Sequence, residues 1–173
     1  YLEDDSTTGF IRPYEDGYSF MALLPKEGIS IEDYISHLSA EKLIGLVENV
    51  STDYDVDAAI PKFKSEYSIE LKDTLQNMGM TDAFDEEQAD FRGIGTSDNG
   101  NIYINMVLHK TYIEVDEQGT KAGASTVVGM VETMSLYEPE IKTVHLDRPF
   151  VYAIIDTETQ MPIFLGVTES VEE

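Results

Sequence analysis

Serine, histidine and aspartate can together make a hydrolase, so these residues are weighed first. The chain has three histidines, His37, His109 and His145. Their spacing is not that of a metal site. No G-x-S-x-G elbow presents a serine for attack. "GIGTSDNG" has neither the spacing nor the context of a dinucleotide loop. The sequence contains no cysteine, so thiolate ligands, disulfides and cysteine nucleophiles are excluded. The chain therefore reads as a non-enzyme, with no cofactor and no metal implied. What stands out instead is "DEQGTKAGASTVVGMVETMS", Asp116 to Ser135, which follows directly on a strand-like run. A connection of this length is usually functional or disordered. This one is too rich in Val and Thr, and too poor in Pro and Ser, for a simple linker. Its composition suits a segment that is mobile in one state and a β-strand in another.

Written as a strand, the stretch alternates. One face carries Thr120, Ala122, Ala124, Thr126, Val128 and Met130, compact and apolar enough to bury. The other carries Lys121, Gly123, Ser125, Val127, Gly129 and Val131. This is the period-two pattern of a half-buried strand. The small residues cluster at the amino-terminal end, where such a strand would enter a sheet first. New ladder bonds at about 1 kcal/mol net each compete with roughly 1–2 kcal/mol of backbone entropy per residue. Insertion wins only where a sheet already holds a vacant slot. A strand of about 15 residues would span roughly 50 Å. The plain alternative is an exposed surface loop.

The elements around this stretch give an α+β pattern weighted to strands. "GFIRPYEDGYSFMALLP" is a β-hairpin turning at Asp16-Gly17 and closed by Pro25. Ser30 opens a short helix, with Asp33 in the capping-box position. Ser39 caps a second, in which Leu43, Ile44 and Val47 fall at helical spacing. "DYDVDAAIPKFKSEYSIEL" is extended and interrupted at Pro61. Ser68 caps a third helix with Ile69, Leu71, Leu75 and Met78 on one face. "NIYINMVLHKTYIEV" is one long strand running into the odd stretch. "KTVHLDRPFVYAIIDTETQMPIFLGVTE" holds a strand and then a hairpin turning at "DTETQ". Both "VYAII" and "IFLGV" look buried, and three short helices cannot cover every strand. The chain is expected to be part of a larger fold. Tyr1-Leu2-Glu3 does not look like a natural start, and no signal peptide or transmembrane-length run is present. With 42% hydrophobic residues the sequence should fold. Its 34 acidic against 11 basic side chains give −23, which argues against nucleic acid and anionic membrane as partners.

Several of these segments, in this order, resemble the carboxy-terminal half of the serpins, the serine protease inhibitors that act by loop insertion. "GFIRPYEDGYSFMALLP" is similar to the family's central hairpin. "IPKFKSEYSIELKDTLQNMGMTDAF" resembles its strand, helix and Phe-ending turn. "ADFRGI" and "VLHKTYIEVDEQGTKAGAST" resemble the approach to the reactive loop, and "DRPFVYAIIDTETQMPIFLGVT" the final hairpin. The resemblance spans essentially the whole chain. It implies the serpin fold, mixed β-sheets with covering helices, with residues 1–173 forming its carboxy-terminal half and the reactive loop at about 117–142. The amino-terminal half would then come from elsewhere, for instance another chain.

The same resemblance implies roles for particular residues. Glu117, Gly119 and Thr120 fall on the hinge at the base of the loop, and Ala122, Gly123, Ala124 and Ser125 fill its small-residue part. Lys62 matches a lysine expected to pair with Glu117. His109 matches the buried, hydrogen-bonded histidine of the shutter, where strands part. Lys121 stands where an acidic residue is common and Gly123 where alanine is common. The segment up to "DRPF" is a few residues longer than usual, which leaves three candidate scissile bonds. Met134-Ser135 is favoured, Thr133-Met134 comes second and Tyr137-Glu138 third. The implied activity is suicide-substrate inhibition of a serine endopeptidase held as a covalent complex. With no basic residue beyond Lys121 in the bait, the target would be chymotrypsin-, elastase- or subtilisin-like. A non-inhibitory serpin with a chaperone, carrier or storage role, or an inactive fragment, is the alternative. The family favours a secreted or extracellular setting, and the lack of cysteine fits the cytosol as well.

Overall fold

The computed structural model describes residues 1–116, 119–120 and 139–170. In chain order the elements are β1 (Leu2–Glu3), β2 (Thr7–Pro13), β3 (Tyr18–Pro25), α1 (Ile31–Ser36), α2 (Ala40–Glu48), β4 (Tyr54–Ala59), β5 (Phe63–Glu70), α3 (Lys72–Asn77), a 3-10 turn (Asp82–Phe84), β6 (Leu108–Asp116), β7 (Gly119–Thr120), β8 (Glu140–His145), β9 (Phe150–Asp156) and β10 (Pro162–Thr168). They fall into two compact units, residues 1–63 with 114–173, and residues 64–113.

The first unit is organised by a five-stranded antiparallel sheet in the order β1-β2-β3-β9-β10. Strands β3 and β9 lie at its middle and are buried almost throughout. Because side chains alternate along a strand, each supplies both faces. Met21 and Leu23, with Val151, Ala153 and Ile155, meet Ile31 and Tyr34 of α1 and Leu43, Leu46 and Val47 of α2. On the other face lie Phe20, Ala22, Phe150 and Tyr152, all buried. Phe63 packs its ring against Phe150 and Tyr152, at 5.6 and 4.9 Å between centroids.

The two helices start where the sequence places them. Ser30 Oγ accepts the Asp33 N–H (3.1 Å), and Ser39 Oγ accepts the Lys42 N–H (3.2 Å). Each cap satisfies one of the free amides of a first turn. The buried stripe of α2 is Leu43, Leu46 and Val47, at the i, i+3, i+4 spacing of one helical face. Ile44, grouped by its spacing with Leu43 and Val47, is 42% exposed, because it is one position off that stripe. Below α1 and α2, Asp4 Oδ1 accepts hydrogen bonds from Ser6 N, Ser6 Oγ and Thr7 N, at 2.7 to 2.9 Å. Lys42 Nζ lies 3.3 Å from Asp4 Oδ2 and 5.0 Å above the Tyr34 ring. Burial pushes the Asp4 carboxyl up, but the Ser6 and Thr7 hydrogen bonds and the Lys42 charge outweigh it and hold it below its ordinary value.

The β9–β10 hairpin turns at Thr157–Thr159, as expected. Strand β10 is the edge of the sheet. Its residues alternate, and Ile163 and Leu165 are 60% and 54% exposed. This fits the expectation that "IFLGV" needs a cover that the short helices of this chain cannot give: among the described residues no element covers this end of β10.

In the second unit the chain runs as a strand through Ser68 to Glu70, so Ser68 does not cap a helix. Helix α3 begins four residues past it, at Lys72 after Leu71, and has no side-chain cap. The reason is a long-range contact: Leu71 N–H donates to Val107 O (2.8 Å), and Glu70 Oε1 accepts the Val107 N–H (3.1 Å). Tertiary pairing overrides the local helix signal here. Met78 is 78% exposed rather than part of an apolar face. Residues 101–107 form no strand, so the long run expected from Asn101 begins only at Leu108.

Candidate functional site

Strand β6 delivers the chain to the odd stretch. Ile113 and Val115 are buried and fix the end of the strand in place. The chain then reverses. Asp116 pairs with Gly119 and Val115 with Thr120, antiparallel. Gly119 and Thr120 therefore lie as the first two residues of a strand folding back along β6. Only two residues, Glu117 and Gln118, separate the paired positions, the length of a tight hairpin loop. Backbone pairing in this direction is what a strand built from 120 onward would have to continue.

The other predicted loop residues, Glu117, Ala122, Gly123, Ala124, Ser125, Thr133, Met134, Ser135 and Tyr137, lie outside the described residues. The suggested Lys62–Glu117 pair rests on one of them. Lys62 itself is exposed, in the short connection between β4 and β5.

The described residues also place His109. It lies on β6 and is exposed, as are its neighbours Leu108 and Lys110. The physical reason is the sheet's extent. Among the described residues β7 stands opposite Val115 and Asp116 alone, so it does not reach His109.

The far end of the stretch is anchored differently. Strand β8 begins at Glu140, at the end of the stretch expected to hold the loop. It pairs in parallel with β4 from Tyr54↔Glu140 to Ala59↔His145. Lys142 Nζ sits 4.6 Å over the Tyr54 ring and 5.9 Å over the Tyr1 ring, and 2.6 Å from Glu140 Oε1. The Glu140 hydrogen bond raises the Lys142 ammonium above its ordinary pKa. His145 Nε2 lies 3.2 Å from Asp57 Oδ2. Val144 and Leu146 are buried, and Leu146 N–H donates to Ala59 O (2.9 Å). Arg148, of "DRPF", donates from Nε and Nη2 to Pro25 O at 3.3 and 3.0 Å, tying the entry of β9 to the end of β3. The Tyr1–Tyr54–Lys142 clamp was not legible in the sequence, because its members are scattered along the chain. The single trace is the alternation of "EIKTVH".

The described part of the site thus consists of two stems, β6 with β7 on one side and β8 on the other. Among the described residues of these stems no serine, histidine and carboxylate lie together as a nucleophile, base and orienting group would. Among the described residues no group of three or more His, Cys, Asp or Glu could hold a metal ion. No helix among them is long and apolar enough to cross a membrane.

Comparison with known proteins gives this geometry a family. The sequence model described as Serpin (serine protease inhibitor) matches residues 1–170. An uncharacterised serpin-like protein of Thermococcus kodakarensis is 37% identical over 167 residues, covering 96% of this chain and 38% of its own length. Iris of Ixodes ricinus is 34% identical over 169 residues, covering 96% and 43%. The crystal structure of a thermophilic serpin, tengpin, in the native state aligns at 49% identity and a TM-score of 0.78, covering 98% of this chain and 43% of that one. The same protein in the latent state aligns at 41% and 0.72, covering 99% and 44%. This chain spans about two-fifths of the length of these relatives. The chain has the serpin fold over the part it shares with them and belongs to the serpin family.

Proposed function

We propose that this chain is the carboxy-terminal, reactive-loop half of a serpin domain that traps serine endopeptidases. The rest of the fold comes from polypeptide outside these 173 residues. The observation that carries the reading is the reversal at Gly119–Thr120, followed in sequence by Ala122, Gly123, Ala124 and Ser125. Small side chains lower the cost of wedging a strand between two others, and the pairing with β6 already has the required direction.

The target's serine attacks the carbonyl of Met134, and the Met134–Ser135 bond breaks to give an acyl-enzyme. The freed segment extends the β7 pairing along β6. A strand of about 15 residues carries the tethered protease roughly 50 Å. Distortion of its oxyanion hole and triad stalls deacylation. The inhibitor supplies no catalytic group; the driving force is strain in the uncleaved fold. Met134, Leu136 and Tyr137 suit chymotrypsin-, elastase- or subtilisin-like pockets. A carrier role is the second reading. Thyroxine-binding globulin in complex with thyroxine aligns at 27% identity and a TM-score of 0.71. The small-residue hinge favours inhibition over it.

The whole serpin containing this sequence, mixed with chymotrypsin-, elastase- and subtilisin-type enzymes, is expected to give a complex that survives a denaturing gel. Sequencing of the released peptide should begin at Ser135. Met134→Arg should move complex formation to a trypsin-type enzyme. Complete cleavage with no complex from any of these enzymes contradicts the proposal.

A further inference from the structure

We propose that Asn99–Gly100 is a site of spontaneous deamidation, set in the exposed turn ahead of β6. In this reaction the backbone nitrogen of the following residue attacks the asparagine side-chain carbonyl carbon. A five-membered succinimide forms and ammonia leaves, carrying away the amide nitrogen. Water then opens the ring at either carbonyl, giving aspartate or isoaspartate. No oxidant, cofactor or enzyme is consumed. The reaction is fastest where the following residue has no side chain, where its backbone N–H is accessible, and where the asparagine amide is not held by hydrogen bonds.

Asn99–Gly100 meets all three conditions. Every residue from Thr96 to Tyr103 is exposed. Gly100 has φ +132°, a region that L side chains rarely adopt, and a Cβ built there would meet nothing within 4 Å. The one hydrogen bond of Asn99 among the described residues runs from its own backbone N–H to Ser97 Oγ (3.2 Å), so its side-chain amide is not held.

The other candidates are protected, which makes the proposal selective. Asn101 Nδ2 donates to Glu86 O (3.0 Å) and Ala89 O (2.8 Å), and is followed by the β-branched Ile102. Asn49 Nδ2 donates to Gly45 O (2.7 Å) and is followed by Val50. Asn77 and Asn105 both precede methionine. Asp16–Gly17 has the poorer electrophile, a carboxylate, and Gly17 O is pinned by Thr157 N–H (2.9 Å) and Thr157 Oγ (2.7 Å). Conversion at Asn99 adds one negative charge. The isoaspartate product also adds a methylene to the backbone two residues before Asn101, whose amide ties this segment to the turn at 86–89.

The test is ageing of the whole protein at mildly alkaline pH, folded and in parallel unfolded in urea. Trypsin then releases the peptide from Gly93 to Lys110, which carries Asn99, Asn101 and Asn105 together. Fragmentation should place a gain of about one dalton on Asn99 alone, with isoaspartate present. Because the folded turn withholds nothing, the folded rate should lie within about twofold of the unfolded one. Gly100→Ala should slow both, and Asn99→Asp supplies the mass and charge standard. A slowing of about tenfold or more on folding, or equal conversion at Asn101 or Asn105, overturns the proposal.

Discussion

Gly166→Ala is expected to destabilise the protein by about 2–3 kcal/mol and lower its melting temperature by roughly 5–10 °C. Gly166 lies on β10 opposite Tyr152 of β9. A Cβ at 166 would overlap Tyr152 Cζ and Oη and come within 2.8 Å of Cε2. The Tyr152 ring cannot yield, because it is 1% exposed and hemmed in by Phe63, Phe150 and Phe164. The added methyl group therefore pushes an aromatic ring off its rotamer or parts the β9–β10 ladder. Thermal melts of the single variant and of Gly166→Ala with Tyr152→Leu distinguish this from a loss of backbone freedom. The smaller ring-free side chain should recover a good part of the loss. A melting temperature unchanged by Gly166→Ala would mean the close approach has no energetic weight.

On the proposed function, Thr120→Arg is expected to turn trapping of the protease into simple cleavage of the loop. Thr120 is the last paired residue of β7 and heads the face, through Ala122 and Ala124, that insertion would bury. Burying an unpaired guanidinium there costs several kcal/mol. Since each 1.36 kcal/mol is tenfold in rate, insertion falls behind hydrolysis of the acyl-enzyme. The number of inhibitor molecules consumed per protease trapped should rise by an order of magnitude or more. Lys121→Glu, on the opposite face, is the control and should leave that ratio near its starting value. Both ratios come from titrating a fixed amount of protease. Unchanged inhibition by Thr120→Arg would count heavily against insertion.

Much of the fold was legible because its signals are local. The Asp16-Gly17 hairpin, the Ser30 and Ser39 caps and the "DTETQ" turn each depend on a few adjacent residues, and all appear where expected. Errors came where distant partners decide. Ser68 reads as a cap until Val107 pairs with Leu71 and Glu70. Leu46 and Ile44 are equally apolar, and only the sheet beneath α2 selects Leu46 for burial. At the site, the end of a strand just before the odd stretch was readable from the apolar run up to Val115, and the pairing of Gly119 and Thr120 back onto it was not. Nor was the Lys142 clamp, since Tyr1, Tyr54 and Lys142 meet only after β4 and β8 pair.

The central claim is that the bait segment becomes a strand beside β6 once it is cut. Its most direct measurement compares the thermal unfolding of the whole serpin intact and after nicking between Met134 and Ser135. Insertion adds a strand to the sheet, so the nicked protein should unfold at a clearly higher temperature than the intact one. Equal or lower heat resistance after nicking, with the cut segment still open to a second protease, would contradict it.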